Sequence, residues 1–397
     1  MLAWLWELYY VFVEPILVSL GVVSLGLGDP TYGRDAVPYS AIERATIYDN
    51  PAVRVTRRRA YLSSGRVVAD LGLREPIATL PCTLNGHLVT SWVNYYVWEM
   101  PSGPTPPLNA DVFLVHGIND YSGKVAPQAL KFMEAGFRAV ALDMPSFGRS
   151  SGLHAYLPSL RMNVDALSAV MQHVCWHDQQ NCMPRLDERK RFAQGSSMGG
   201  FTVIYHAALY PPVSPASQGG PKNAPRLSFA GLAVSAPMLQ IAKETRPNWA
   251  VEMFARAIAV VAGRLPLARA LKGNVSDDPR VEEYATVDPQ IYHGLVRIDT
   301  GLGIVAGLDH LSAIESRIRC PVAVHHGTHD RVTNPDGSRK FLESLSVPRK
   351  QFRLWPGVEH AMLKSIPGMS AADTARRDAL VQEMADWFTE LVREPPA

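Results

Sequence analysis

Short apolar runs alternate with stretches of helical spacing through most of the chain. Residues 110–115, 138–143, 191–194, 227–235, 320–325 and 351–354 read as strands. Between them, residues 126–135, 160–174 and 201–209 carry apolar side chains at three- and four-residue intervals and read as helices. Gly136 stops the first of these and Pro211-Pro212 the last. Strands that alternate with helices predict a mostly parallel sheet with helices on both faces, because parallel neighbours need a crossover connection. Upstream, Asn85-Gly86 between strand formers and the Val, Tyr and Trp of 91–98 predict antiparallel strands at the start of the sheet. The chain ends in a helix whose apolar face is Leu380, Met384, Trp387, Phe388 and Leu391.

Several segments break the alternation. Residues 238–316 are long, mostly helical and without a clear strand, yet lie between two strands, so they read as an inserted cap. Residues 214–225, rich in Pro, Ser and Gly, read as a surface loop. Residues 33–72 are mixed, and Arg57, Arg58 and Arg59 read as a solvated loop. The expected organisation is an apolar segment over 1–28, an N-terminal extension over 29–79, a core over 80–237, the cap over 238–316, and the rest of the core over 317–397.

Composition narrows the function. The 397 residues are 47% hydrophobic and 19% charged, which permits a large core. A net charge of +2 gives no electrostatic case for nucleic acid as a partner. Four cysteines in a chain this long make no disulfide framework. Cys175 and Cys182 stand close enough to pair in an oxidising compartment, though a buried thiol beside a loop is the preferred reading.

Gly195-Ser196-Ser197-Met198-Gly199 is a Gly-x-Ser-x-Gly motif with a predicted strand before it and a predicted helix after it. A serine hydroxyl must lose its proton as it attacks, so it needs a base within reach. A tight strand-to-helix turn holds the hydroxyl outward, and the flanking glycines make room for that turn. On this template an acid and then a histidine follow the serine in the chain. Asp330 follows the strand over 320–325, and His360 follows the strand over 351–354. Ser197, His360 and Asp330 are the expected nucleophile, base and orienting acid. In isolation Asp330 would read as a turn former and His360 as a capping residue. The backbone N–H of Met198 and that of Ile118, after the strand ending at His116-Gly117, are the expected oxyanion donors. His325, His326, His329 and Asp330 invite a metal reading, but adjacent strand residues point to opposite faces. Neither a metal nor a cofactor is expected.

The motifs HGINDYSG (116–123), DMPSFGRSSG (143–152), GSSMGG (195–200), FAGLAVSAP (229–237), DPQIYHG (288–294), HHGTHDRVTNP (325–335) and PGVEHAML (356–363) occur in one order. In that order they resemble the monoglyceride lipase branch of the α/β-hydrolases, a group of serine aminopeptidase-like lipases and lysophospholipases. The resemblance runs from about Leu80 to Leu391. It implies the triad above, the same oxyanion donors and hydrolysis of an acyl ester of a small lipid alcohol through an acyl-enzyme. Lysophospholipids, thioesters, pathway-specific esters and short peptides remain alternative substrates for the same machinery, and a silent binding protein on this fold remains a third reading. Asn119-Asp120-Tyr121 stands where the family has Gly-Glu-His, and Ser196 where it has His. Asn119 and Asp120 are therefore expected at the entrance to the acyl site. Trp249 and Phe254 of the cap, with Met253, Ile258, Leu302, Ile304 and Leu308, would wall an apolar tunnel, although ordinary cap packing would use the same residues.

The first 28 residues are almost wholly apolar, interrupted mainly by Glu7 and Glu14, with no basic residue ahead of them. The length would span a bilayer, but burying either glutamate near its centre costs roughly 2–3 kcal/mol. Trp4, Trp6, Tyr9 and Tyr10 favour an interface. A shallow membrane-surface anchor is expected over a span; if the segment does span, positive charge lying only after it puts the catalytic domain on the cytosolic side. An apolar arm packed on the enzyme itself or on a second subunit is the alternative.

Overall fold

Apolar side chains on both sides of each central strand bury the sheet on two faces. In the computed structural model, Phe113 and Val115 join one core cluster and Ala110, Val112 and Leu114 the other. The model describes residues 2–62, 82–84, 87–89, 91–212, 228–240, 249–268 and 275–394. The expected turn at Asn85-Gly86 and the expected loop over 214–225 lie outside the described residues.

The strands are β1 (Arg54–Leu62), β2 (Cys82–Leu84), β3 (His87–Val89), β4 (Ser91–Glu99), β5 (Ala110–Val115), β6 (Arg138–Leu142), β7 (Lys190–Ser196), β8 (Gly231–Ser235), β9 (Pro266–Ala268), β10 (Val296–Arg297), β11 (Val322–Gly327) and β12 (Lys350–Trp355). Eight of them form one sheet in the order β1-β4-β6-β5-β7-β8-β11-β12. Pairing is antiparallel on both sides of β4 and parallel from β6 to β12. The fold is α/β, a mostly parallel sheet with helices on both faces. β2 and β3 pair with each other as a separate ladder.

The helices are α1 (Leu2–Leu8), α2 (Glu14–Ser19), α3 (Ala41–Glu43), α4 (Ala126–Glu134), α5 (Arg161–Gln180), α6 (Met198–Leu209), α7 (Trp249–Ala262), α8 (Pro279–Val287), α9 (Ile298–Ile314), α10 (Pro335–Ser344) and α11 (Ala371–Arg393). α5, α6 and α10 cover one face of the sheet, and α4 and α11 cover the other. Between β8 and β11, the described chain is α7, α8, α9 and the short β9–β10 ladder.

The sheet starts earlier than the sequence suggested. Arg57, Arg58 and Arg59 belong to the edge strand β1, not to a loop, and they obscure its pattern because the strand has partners for its charges. Arg57 and Arg59, two apart and so on one face, both reach Asp35. Arg57 Nε also donates to Asn94 Oδ1 at 2.7 Å across the β1–β4 pair. The segment before β1 is tied into the core as well. Arg34 is buried and donates to the carbonyls of Gly148, Ser150 and Gly152, each at 2.8 Å. Arg149 answers by donating to Val37 O at 2.7 Å. Cys175 and Cys182 are free thiols, the first buried and the second exposed, so this pair forms no disulfide.

The N-terminal arm is α1 and α2 joined by a π-helical turn over Tyr9–Val13. Among the described residues, no helix is long and apolar enough to cross a membrane. The arm lies on the cap. Glu14 is fully buried and accepts from Gly26 N at 2.8 Å, Tyr32 Oη at 2.7 Å and Arg264 Nη1 at 3.1 Å. Glu7 meets Arg297 at 2.5 Å, and Arg297 also holds His154 O and Arg264 O. The two acidic residues that weighed against membrane insertion are thus ion-paired to the cap.

Candidate active site

β7 ends at Ser196 and α6 begins at Met198, so Ser197 occupies the turn alone. Its φ of 53° and ψ of −118° are sparsely populated for any residue with a Cβ, and holding one there costs about 1–3 kcal/mol. The glycines of the motif answer contacts rather than φ. A Cβ on Gly195 would come within 2.4 Å of Gly199 O, and one on Gly199 within 2.1 Å of Val115 O.

Ser197 Oγ lies 3.0 Å from His360 Nε2, and His360 Nδ1 lies 2.8 Å from Asp330 Oδ2. Residues 163 and 30 positions apart in the chain are thereby brought into one line of hydrogen bonds. Asp330 follows β11 and His360 follows β12, both past the carboxyl ends of parallel strands, where such sheets gather functional groups. Asp330 Oδ1 accepts the N–H groups of Val332 and Thr333 at 2.8 and 2.9 Å. Burial alone would raise its pKa. Hydrogen bonds from His326 and His360, the nearby His360 charge and the Thr333 N–H outweigh burial and hold the carboxyl well below its ordinary range.

Ile118 lines the same cavity as Ser197, and the chain before it passes close to that serine. A Cβ on Gly117 would sit 3.5 Å from Ser197 Cβ. His116 sets this loop, a role its place in a His-Gly pair did not disclose. Its Nε2 accepts from Met144 N at 2.9 Å, so Nδ1 carries the proton and donates to Gly117 O at 2.7 Å. The Gly117 carbonyl and the Ile118 N–H belong to one trans peptide, so holding the first aims the second the opposite way. Burial pushes the His116 pKa down and favours this neutral ring. The Met198 N–H opens α6, where the helix dipole favours developing negative charge.

The cavity over Ser197 measures about 580 Å³. Its apolar lining includes Val275, Val281, Ile291, Leu295, Val296, Leu363 and Ile366. Its polar lining includes Asn119, Asp120, Lys124, Gln128 and Gln194. Asn119 takes a left-handed φ of 65°, and its carbonyl accepts from Tyr292 N of the cap at 3.2 Å. Burial raises Asp120 to about 6, with Lys124 opposing and Asp288 reinforcing the rise. Trp249 and Phe254 are not among the lining residues. They are 77% and 64% exposed on α7, because that helix turns its apolar side chains outward rather than over the serine. Ile304, also expected in the tunnel, packs into the core from α9. His325 and His326 point to opposite faces of β11, one toward Trp355 and the other toward Asp330. Among the described residues, no cluster could hold a metal ion.

A serine on a strained strand-to-helix turn, joined to a histidine and a buried aspartate from later loops of such a sheet, defines an α/β-hydrolase. The family model for serine aminopeptidase S33 matches residues 106–365, more than half of the chain, and the protein belongs to that family. It is a lipase- or esterase-like member of the monoglyceride lipase-like branch. It is 24% identical to caffeoylshikimate esterase of Arabidopsis thaliana over 292 residues, 72% of this chain and 80% of that protein. It is 22% identical to monoglyceride lipase of Rattus norvegicus over 317 residues, 80% of this chain and 92% of that protein. Among solved structures, a monoglyceride lipase of Saccharomyces cerevisiae shares the fold with a TM-score of 0.58 at 17% identity, covering 81% of this chain and 98% of that one. A monoacylglycerol lipase of Paleococcus ferrophilus does so with a TM-score of 0.57 at 22% identity, covering 72% of this chain and 96% of that one.

Proposed function

We propose that the protein hydrolyses acyl esters of small alcohols through an acyl-enzyme on Ser197. The hydrogen-bonded line from Ser197 through His360 to Asp330 carries this reading. Ser197 Oγ attacks the ester carbonyl while His360 Nε2 takes its proton. Asp330 keeps the imidazole in the right tautomer and stabilises the imidazolium. The N–H groups of Ile118 and Met198 receive the oxyanion, each worth about 3–4 kcal/mol in such sites. His360 then gives its proton to the leaving alcohol, and water repeats the sequence on the acyl-enzyme.

A cavity with both apolar and polar lining residues suits an apolar acyl group and a small polar alcohol, as in a monoacylglycerol. A second reading keeps the chemistry and changes the substrate to the ester of a polar hydroxy acid, the kind of compound the name of the Arabidopsis relative describes. Gln128 and Gln194, each buried and each lining the cavity, favour it. Labelling with a fluorophosphonate probe, followed by a panel of esters and thioesters on wild type and Ser197→Ala, tests both. Loss of labelling and turnover in the variant is expected. Wild-type protein that neither labels nor turns over any ester would refute the proposal.

We also assign the substrate encounter to a lipid surface. Trp4, Leu5, Trp6, Phe12, Ile16 and Leu20 of the arm are exposed, as are Trp249, Met253, Phe254, Val260 and Val261 of α7. Both glutamates of the arm are paired on the protein side, which leaves its outer side chains apolar and aromatic. Co-flotation with phosphatidylcholine vesicles is expected for the full chain and lost on deleting residues 1–28. A full-length protein that stays at the bottom of the gradient would refute this assignment.

A further inference from the structure

Asp330 receives more hydrogen bonds than orienting one imidazole requires. Besides the two backbone donors on Oδ1, its Oδ2 lies 2.8 Å from His360 Nδ1, 2.9 Å from Thr333 Oγ1 and 3.1 Å from His326 Nε2. His326 is fully buried on β11, four residues before Asp330. Its other nitrogen, Nδ1, lies 3.0 Å from Ser338 Oγ in the first turn of α10, and Ser338 is itself buried. A carboxylate only accepts, so Nε2 of His326 must carry the proton, and Nδ1 then accepts from the Ser338 hydroxyl. A continuous chain results: Ser338 to His326 to Asp330, then to His360 and Ser197.

We propose that His326 is a positioning residue of the triad, whose Nε2–H, oriented by Ser338, shares the charge of Asp330 with His360 and so sets the basicity of His360. The proposal rests on the serine hydrolase reading above. His326 touches neither Ser197 nor the cavity. It acts through Asp330, in two ways. Its N–H withdraws part of the carboxylate charge that would otherwise stabilise protonated His360. It also adds a third anchor to the one oxygen that faces His360, so the carboxylate holds its plane. Charged neighbours leave this role to His326. Glu359, next to His360, is engaged by Ser276, the Asp277 N–H and Lys364. Arg331 pairs with Asp277. Asp336 of α10 directs its N–H to Asn334 and is exposed at the helix start. His325 faces Trp355 and Glu383 on the other side of β11.

The test is the pH dependence of kcat/KM on a soluble ester for His326→Leu, His326→Gln and Ser338→Ala. Leu removes the donor, and Gln places an amide N–H near the position of Nε2. In His326→Leu, kcat is expected to fall at least about tenfold and the acid limb to move up by about half a pH unit or more, because unshared charge on Asp330 favours protonated His360. His326→Gln is expected to recover most of both, and Ser338→Ala to shift the limb the same way by less. An acid limb unmoved in His326→Leu, or a Gln variant no better than Leu, would overturn the proposal. If the Leu variant does not fold, Ser338→Ala carries the test, and a limb unmoved in it would overturn the proposal. A second readout needs no substrate: the low-field proton resonance of His360 Nδ1–H in the resting protein should move in these variants. An unmoved resonance overturns the role of His326, whereas wild-type protein that fails to label with fluorophosphonate overturns the hydrolase reading instead.

Discussion

Acidification should destabilise this protein steeply, and three of its buried histidines account for a large part of the slope. His173, His206 and His325 are 6%, 0% and 1% exposed. Burial pushes them down to about 3, 3 and 4, with help from the positive charges of His177 and Arg58, of Arg161 and of Arg353 respectively. In the unfolded chain each titrates near about 6.5. Below that value the unfolded state holds protons that the folded state refuses, so stability falls as pH falls, from about 6.5 down toward the folded values. Going from pH 7.5 to 5.5 costs about 1.4 kcal/mol per histidine, or about 4 kcal/mol for the three, against a total stability of about 5–15 kcal/mol. Asp120, raised to about 6, works in the opposite direction and offsets less than about 1 kcal/mol. Urea unfolding at the two pH values measures the difference. A sharper control is His206→Leu. Among the described residues, neither ring nitrogen of His206 has a hydrogen-bond partner, so the variant loses no bond at pH 7.5. It should keep wild-type stability there within about 1 kcal/mol and remove about 1.4 kcal/mol from the acid loss. A loss below about 1.5 kcal/mol in wild type, or an unchanged loss in His206→Leu, would refute the account.

Asp330→Asn should leave the fold intact and lower kcat by about 10⁴, since the amide favours the wrong imidazole tautomer; a rate within tenfold of wild type would point to another acid. Glu14→Leu should strand Arg264 and Tyr32 and free the arm, costing about 2–3 kcal/mol of arm docking after allowance for the exposure of Arg264. Limited proteolysis between residues 20 and 40 would report this as faster cleavage, and an unchanged cleavage rate would count against the clamp. Trp249→Ser with Phe254→Ser should weaken vesicle binding while leaving kcat/KM on a soluble short-chain ester within about twofold, because neither side chain lines the cavity.

The parallel part of the sheet was legible because its central strands carry apolar residues on both faces and two of its crossover helices have stop signals, Gly136 and Pro211-Pro212. The hydrogen-bonded line of Ser197, His360 and Asp330 was legible because its members sit where the motif order and the strand ends require. β1 was not, since Arg57 and Arg59 find Asp35, and Arg57 finds Asn94, only once the edge of the sheet has formed. His326 looked like part of a histidine cluster, and only its distance to Asp330 distinguishes it. The outward turn of Trp249 and Phe254 was hidden for a different reason. Helical spacing identifies an apolar face but not whether protein or solvent lies against it, and both residues would score alike in either setting.

The clamp between the arm and the cap has a temporal side. Glu7 and Arg297 lie 290 residues apart in the chain. At a synthesis rate of about 5–20 residues per second, Glu7 leaves the ribosome about 15–60 s before its arginine exists. Through that interval the Trp- and Tyr-rich arm has only its near neighbours, such as Gly26 and Tyr32, to close on. Whatever meets it first, a chaperone or a bilayer, does so before the cap can compete.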